Sequence, residues 1–228
     1  MRRAVAELWG TGMLTFAIVS SGIHAETLSD DQAITLMINA GVTAAILGLL
    51  IFALLPLSGA HLNPAVTLAL VIRGQIPVSQ AGAYASAQTL AAIAGASLGH
   101  LLFQAGTPVI SSHDRASALT LAAEFLATAG LVALILLAVE TGRRRSLPWL
   151  VAVWIGAGYF MWPSTGFANP AVTVGRMFTD TFTGISPASG GLFIAVQLAG
   201  AIAGLLVARA LMASRGVPAQ SQQSARPG

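Results

Sequence analysis

Two five-residue stretches recur letter for letter, Asn63-Pro64-Ala65-Val66-Thr67 and Asn169-Pro170-Ala171-Val172-Thr173. Asn is among the best N-cap residues, and Pro is favoured directly after it, where its missing N–H would have had no partner. Each stretch therefore reads as the start of a helix whose free N–H groups and positive dipole end face whatever precedes it. The chemistry on offer is hydrogen-bond donation to an oxygen-bearing molecule. Covalent chemistry finds little here. Cysteine is absent, which removes disulfides, thiolate metal sites and a cysteine nucleophile. His113 and Asp114 are adjacent, but no nucleophile or metal-ligand spacing surrounds them. Two carboxylates sit in matching contexts, Ala6-Glu7-Leu8 and Ala123-Glu124-Phe125. Two amides do the same: Gln88 is followed by Ala94-Gly95, and Gln197 by Ala203-Gly204.

The elements that must hold these residues follow from composition. Of 228 residues, 55% are hydrophobic and only 8% charged, where a soluble domain carries about 25% charged residues to wet its surface. The solvent is lipid. Six apolar segments read as membrane spans: Val5–Ile23, Ala33–Leu55, Val78–Phe103, Ala116–Val139, Leu147–Met161 and Ser189–Met212. Two shorter ones, Pro64–Ile72 and Pro170–Phe178, begin at the repeated motifs and read as re-entrant half-helices. Gly12, Gly48, Gly82, Gly95, Gly158 and Gly204 lie inside spans, where small residues let backbones approach. The start, Met1-Arg2-Arg3 before an apolar run, has the outline of a signal peptide, but Glu7 interrupts the run and its length suits a span. The segment after Val217 is Gln-, Ser-, Pro- and Ala-rich and reads as disordered.

All eleven basic residues are Arg. With six spans, Arg2, Arg3, Arg73, Arg143, Arg144, Arg145, Arg209, Arg215 and Arg226 fall on one side, which the positive-inside rule makes cytoplasmic. The basic balance answers to topology, not to nucleic acid. Each half of the chain holds three spans and one half-helix, so the halves must run in opposite senses, an inverted repeat. The divisions are 1–110, 111–213 and a cytoplasmic tail, 214–228. The expected class is an all-α membrane protein with six transmembrane helices and two half-helices meeting near the midplane. Their converging dipoles and the Asn amides would receive a solute oxygen and oppose cations.

On these residues the chain resembles the aquaporin and glycerol-facilitator superfamily, also called major intrinsic proteins. Ser58-Gly59-Ala60-His61-Leu62-Asn63-Pro64-Ala65 is similar to its first signature loop, and Thr165-Gly166-Phe167-Ala168-Asn169-Pro170-Ala171 to its second. The resemblance implies one pore per protomer, a homotetramer, no cofactor or bound metal, and a non-enzymatic, passive channel for small neutral solutes and water. It implies that Glu7 and Glu124 accept hydrogen bonds from the re-entrant loops, with His61, Gln88 and Gln197 in support. An ion-coupled secondary transporter is the rival reading, since inverted repeats and broken helices occur there too; Glu7 and Glu124 are the carboxylates it would have to use.

The sequence departs from the family where most members carry Arg directly after the second Asn-Pro-Ala, here Val172. Counting from the motifs places the other filter positions at Thr43, Ala157 or Gly158, and Phe167. Such a ring is wide, largely apolar and uncharged, which favours solutes larger than water over a water-selective pore. Arg176, one turn beyond Val172, is expected about 6 Å nearer the outer side, at a vestibule or snorkelling to the interface. The stretch Val172 to Phe182 resembles a bacterial subgroup associated with arsenic resistance. That implies a bacterial inner-membrane protein passing glycerol-like polyols and neutral metalloid hydroxides such as arsenous acid.

Overall fold

The computed structural model describes residues 1–213; the expected tail, with Arg215 and Arg226, lies outside the described residues. Eight α-helices follow one another: α1 Arg2–Leu28, α2 Gln32–Leu54, α3 Pro64–Ile72, α4 Val78–Leu102, α5 Ala118–Glu140, α6 Leu147–Met161, α7 Pro170–Arg176 and α8 Pro187–Ala213. A 3₁₀ turn, Arg144–Ser146, leads into α6. The ends follow from local chemistry. Asp31 caps α2 by accepting from Ala33 N at 2.7 Å, and Ser117 with Thr120 forms a capping box on α5.

Helices α1, α2, α5 and α8 are long and apolar enough to cross a membrane on their own. The other two crossings lean on partners. Helix α4, rich in Gly, Ala and Ser, packs along α1, and α6, with only 15 residues, packs along α2. Polarity is turned inside out relative to a soluble domain. Phe52, Leu90, Leu101, Leu119, Trp149, Val153, Phe160 and Leu206 face outward, while Glu7, Thr11, Thr15, Gln88, Glu124, Thr128 and Gln197 are fully buried. Burying so many polar groups is tolerable only where hydrogen bonds or a wet lumen receive them.

The two halves pack alike, α1 on α4 and α5 on α8. Their closest approaches are glycines: a Cβ at Gly95 would overlap the Gly12 carbonyl oxygen, and one at Gly204 the Ala129 carbonyl oxygen. Gly48 lies against Pro148 and Ala152 of α6 in the same role. Gly82 does not. It faces open space.

Candidate functional site

The short helices are held by two re-entrant loops built to one plan. In the first, Glu7 of α1 accepts at Oε1 from Ser58 Oγ (2.6 Å) and His61 N (3.0 Å), and at Oε2 from Leu62 N (2.6 Å) and Gln88 Nε2 (2.7 Å). In the second, Glu124 of α5 accepts at Oε1 from Phe167 N (2.8 Å), and at Oε2 from Ala168 N (2.9 Å) and Gln197 Nε2 (2.7 Å). Each carboxylate thus satisfies two successive backbone N–H groups, which is why a charge-bearing residue stands inside a span. The backbone bends to make this possible. Gly59, Ala60 and Leu62, and in register Thr165, Gly166 and Ala168, all adopt positive φ. For the four non-glycine residues this is a strained conformation, sustained where surrounding bonds over-determine it.

The Asn residues close the two loops against each other. Asn63 Oδ1 caps Ala65 N at 2.8 Å, and Asn169 Oδ1 caps Ala171 N at 3.0 Å and Val172 N at 3.3 Å. Asn63 Nδ2 donates to Ala168 O at 2.7 Å, and Asn169 Nδ2 to Leu62 O at 2.8 Å. One N–H of each amide is therefore spent on the opposite loop, leaving the second free to donate. Thr67 and Thr173 hydroxyls donate back to the Asn63 and Asn169 carbonyls at 3.0 and 2.9 Å. The ring of His61 meets Thr67 Oγ1 at 3.0 Å through Nδ1 and the edge of Tyr84.

A cavity of about 450 Å³ passes these motifs. Arg3, Gln75, Gln80 and Arg144 line one mouth; Asn63, His61, Val66 and Asn169 the interior; Thr43, Tyr159, Phe167, Val172 and Arg176 the other end. Three of the predicted ring residues, Thr43, Phe167 and Val172, do come together on this cavity. Ala157 and Gly158 do not. Ala157 faces outward, and Gly158 faces Trp162 of its own chain segment. The lumen face of α6 instead presents Val151, Ile155 and Tyr159, spaced by one helical turn. Tyr159 bonds Thr43 hydroxyl to hydroxyl at 3.0 Å.

Arg176 lies at the same end of the cavity. It is 4% exposed, lines the cavity, and stacks its guanidinium 3.4 Å from the centroid of the Phe167 ring, with Nε bonded to Thr183 O. A place on the cavity wall agrees with the vestibule expectation, whereas an anchor snorkelling to the interface would be exposed. Side chains on a helix lean toward its N-terminus, here the membrane interior, so the guanidinium lies over the turn that carries Val172.

Above this end, two loops are clasped. Ser111 N donates to Met177 O at 2.8 Å, and Ser112 N to Asp180 Oδ1 at 2.8 Å. The Ser112 N–H, the Ser112 and Ser111 hydroxyls and nearby His113 hold the Asp180 carboxyl below its ordinary range. His113 thus faces Asp180 at 3.5 Å, while its neighbour Asp114 bonds Ser189 Oγ. Arg115, a residue no motif announces, donates through Nε to Gly184 O and through Nη2 to Phe182 O at 2.7 Å.

A lined passage between two opposed, capped half-helices makes the chain a membrane channel, with no catalytic constellation along its walls. The sequence model of the major intrinsic protein family matches residues 1–166. Aquaglyceroporin AqpS of Rhizobium meliloti is 43% identical over 92% of this chain and 90% of its own. The probable aquaporin NIP7-1 of Arabidopsis thaliana is 25% identical over 92% of this chain and 77% of its own. Among solved structures, the aquaglyceroporin of Plasmodium falciparum superposes with a TM-score of 0.70 at 23% identity, covering 90% of this chain and 92% of that one. The chain belongs to the major intrinsic protein family, with an aquaporin-like fold.

Proposed function

We propose that the channel passes small neutral polyhydroxylated solutes, glycerol-like polyols and trivalent metalloid hydroxides such as arsenous acid, together with water. Val172 carries the reading. A β-branched apolar residue stands where the family's filter guanidinium would project, leaving aperture for solutes larger than water beside Thr43, Tyr159 and Phe167. The 43% identity to a protein called an aquaglyceroporin supports the same direction. Passage follows from the donors described above: a solute oxygen exchanges water for the free N–H of Asn63 and Asn169 near the midplane, while the converging helix N-termini oppose cations.

In this reading residues 1–110 and 111–213 are the two inverted halves, four protomers assemble in the membrane, and both termini are cytoplasmic in a bacterial inner membrane. Arg3 and Arg144 at one mouth, and Arg73 bridged to Glu140 beside it, support that orientation. One observation favours the narrower, water-selective alternative: the Arg176 guanidinium lies over Phe167 on the cavity that Val172 also lines. Stopped-flow light scattering on proteoliposomes separates the two. A panel of water, glycerol, urea and arsenous acid should show glycerol and arsenous acid crossing well above empty liposomes. Water flux with no glycerol flux would overturn the proposal.

A further inference from the structure

We infer that Arg176, positioned together with Arg115 by three consecutive backbone carbonyls, supplies the fixed positive charge of the outer constriction in place of the residue at 172. The inference deepens the solute reading above and rests on the same cavity. Its first support is placement. Arg176 lies almost wholly buried at the cavity wall, its guanidinium flat on Phe167. The second is the lack of an ion-pair partner. Neither ion pair among the described residues involves Arg176, so its charge acts on the lumen. A buried cation with no carboxylate partner is costly, and a wet lumen that receives it is the arrangement that sustains it.

The third support is the device that aims it. Segment 182–184 offers three carbonyls in a row: Phe182 O and Gly184 O accept from Arg115, and Thr183 O between them accepts from Arg176 Nε. Arg115 also lies 5.9 Å from the Phe167 ring centroid. Two guanidiniums are thereby held against one aromatic ring, Arg115 through Nε and Nη2 and Arg176 through Nε alone, with neither in an ion pair among the described residues. With Nε anchored, the terminal nitrogens of Arg176 make no hydrogen bond among the described residues. They remain to donate to a solute oxygen, across from the Thr43–Tyr159 hydroxyl pair that can accept from a solute hydroxyl. The ligand class is a small uncharged molecule with at least two oxygens. Cations are repelled. Arg176 contacts solute; Arg115 is a positioning residue acting through the carbonyls.

The test uses full-length protein in proteoliposomes, with water, glycerol and proton or sodium permeation measured on each sample. Arg176→Met should raise the cation leak about tenfold or more relative to water flux, the change expected when roughly 1.4 kcal/mol of barrier is removed. Arg176→Lys should restore cation exclusion but shift the glycerol-to-water ratio, because a point charge replaces a planar donor fork. Arg115→Met should weaken exclusion less than Arg176→Met. Unchanged cation leak and unchanged solute ratio in Arg176→Met would overturn the inference. Should Arg176→Met fail to fold, the double variant Val172→Arg/Arg176→Met is measured instead. It restores a cation one turn earlier; a leak as tight as wild type in it, together with a leaky Arg176→Gln, supports the inference, and equal tightness in both overturns it. A wild-type channel that rejects glycerol defeats the solute reading alone, since the leak comparison does not involve glycerol.

Discussion

Replacing Glu124 removes a partner that nothing else in the membrane can supply. Its carboxylate holds Phe167 N–H, Ala168 N–H and the Gln197 amide. In Glu124→Ala the two backbone donors are stranded, at about 1–3 kcal/mol each, or roughly 2–6 kcal/mol together. Gln197 loses less, since its Nε2 keeps Thr173 Oγ1 at 3.1 Å. Thr165 and Ala168 would then hold left-handed backbone with fewer restraints, so the loop should relax and the α7 cap loosen. Glu124→Gln keeps one acceptor oxygen and strands about one backbone N–H, at about 1–3 kcal/mol. The parallel variant Glu7→Ala should be worse than Glu124→Ala, because the Ser58 hydroxyl loses its acceptor as well and Gln88 retains only a 3.5 Å contact with Thr67. Intrinsic-fluorescence melting in detergent, with flux from the same preparations, should rank wild type above Glu124→Gln, then Glu124→Ala, then Glu7→Ala. Ala variants as stable as wild type would refute the loop-holding role. A stable Glu124→Ala that lost pH-driven solute accumulation would point to a coupled transporter instead.

Asn63→Ala and Asn169→Ala should each lower flux and thermal stability, since each removes a cap worth about 1 kcal/mol and a bond to the opposite loop; proteoliposome flux and melting check both. Gly204→Leu should destabilise by about 1–3 kcal/mol or block insertion, because its side chain meets the Ala129 carbonyl, whereas Gly82→Leu should be silent; membrane yield and melting compare them. Asp180 has its folded pKa depressed, so the clasp it makes is in place above the ordinary carboxylate value near 3.8 and is lost as pH falls below it through the folded value. Hydrogen exchange at Ser112 should therefore accelerate under strong acid in wild type and already be fast at neutral pH in Asp180→Asn.

What was legible in the sequence is what depends on neighbours along the chain. Asn-Pro caps state where α3 and α7 begin, and the helix bounds Pro64–Ile72 and Leu147–Met161 appear as read. Helix α1 runs further than its apolar core, Arg2–Leu28 against Val5–Ile23, because hydropathy marks the lipid-covered part and not the hydrogen-bonded helix. The Glu and Gln pairs were legible because an internal repeat doubles the evidence for each. Filter residues were harder. On α6 the position was counted across a loop of uncertain length, and a shift of one or two residues rotates a helix from Tyr159 to the outward-facing Ala157. For Arg176 the sequence left a vestibule and a snorkelling place open, because the reach of a long side chain depends on its direction, which spacing along the chain does not state. Arg115 left no trace, since its partners are carbonyls of a loop some 70 residues away.

The central claim is that solutes larger than water pass the outer constriction because residue 172 is small. Val172→Arg tests it directly. The added guanidinium would enter a ring already holding Arg176 over Phe167, narrowing the aperture and adding a further positive charge. Val172→Ala, which only widens the site, serves as the control and should resemble wild type. The measurement is the ratio of glycerol to water permeability in proteoliposomes of equal protein content. A drop of about tenfold or more in Val172→Arg, corresponding to some 1.4 kcal/mol of added barrier for the larger solute, is the predicted result. An unchanged ratio in a folded Val172→Arg protein would contradict the placement of residue 172 at the constriction, and with it the preference for solutes larger than water.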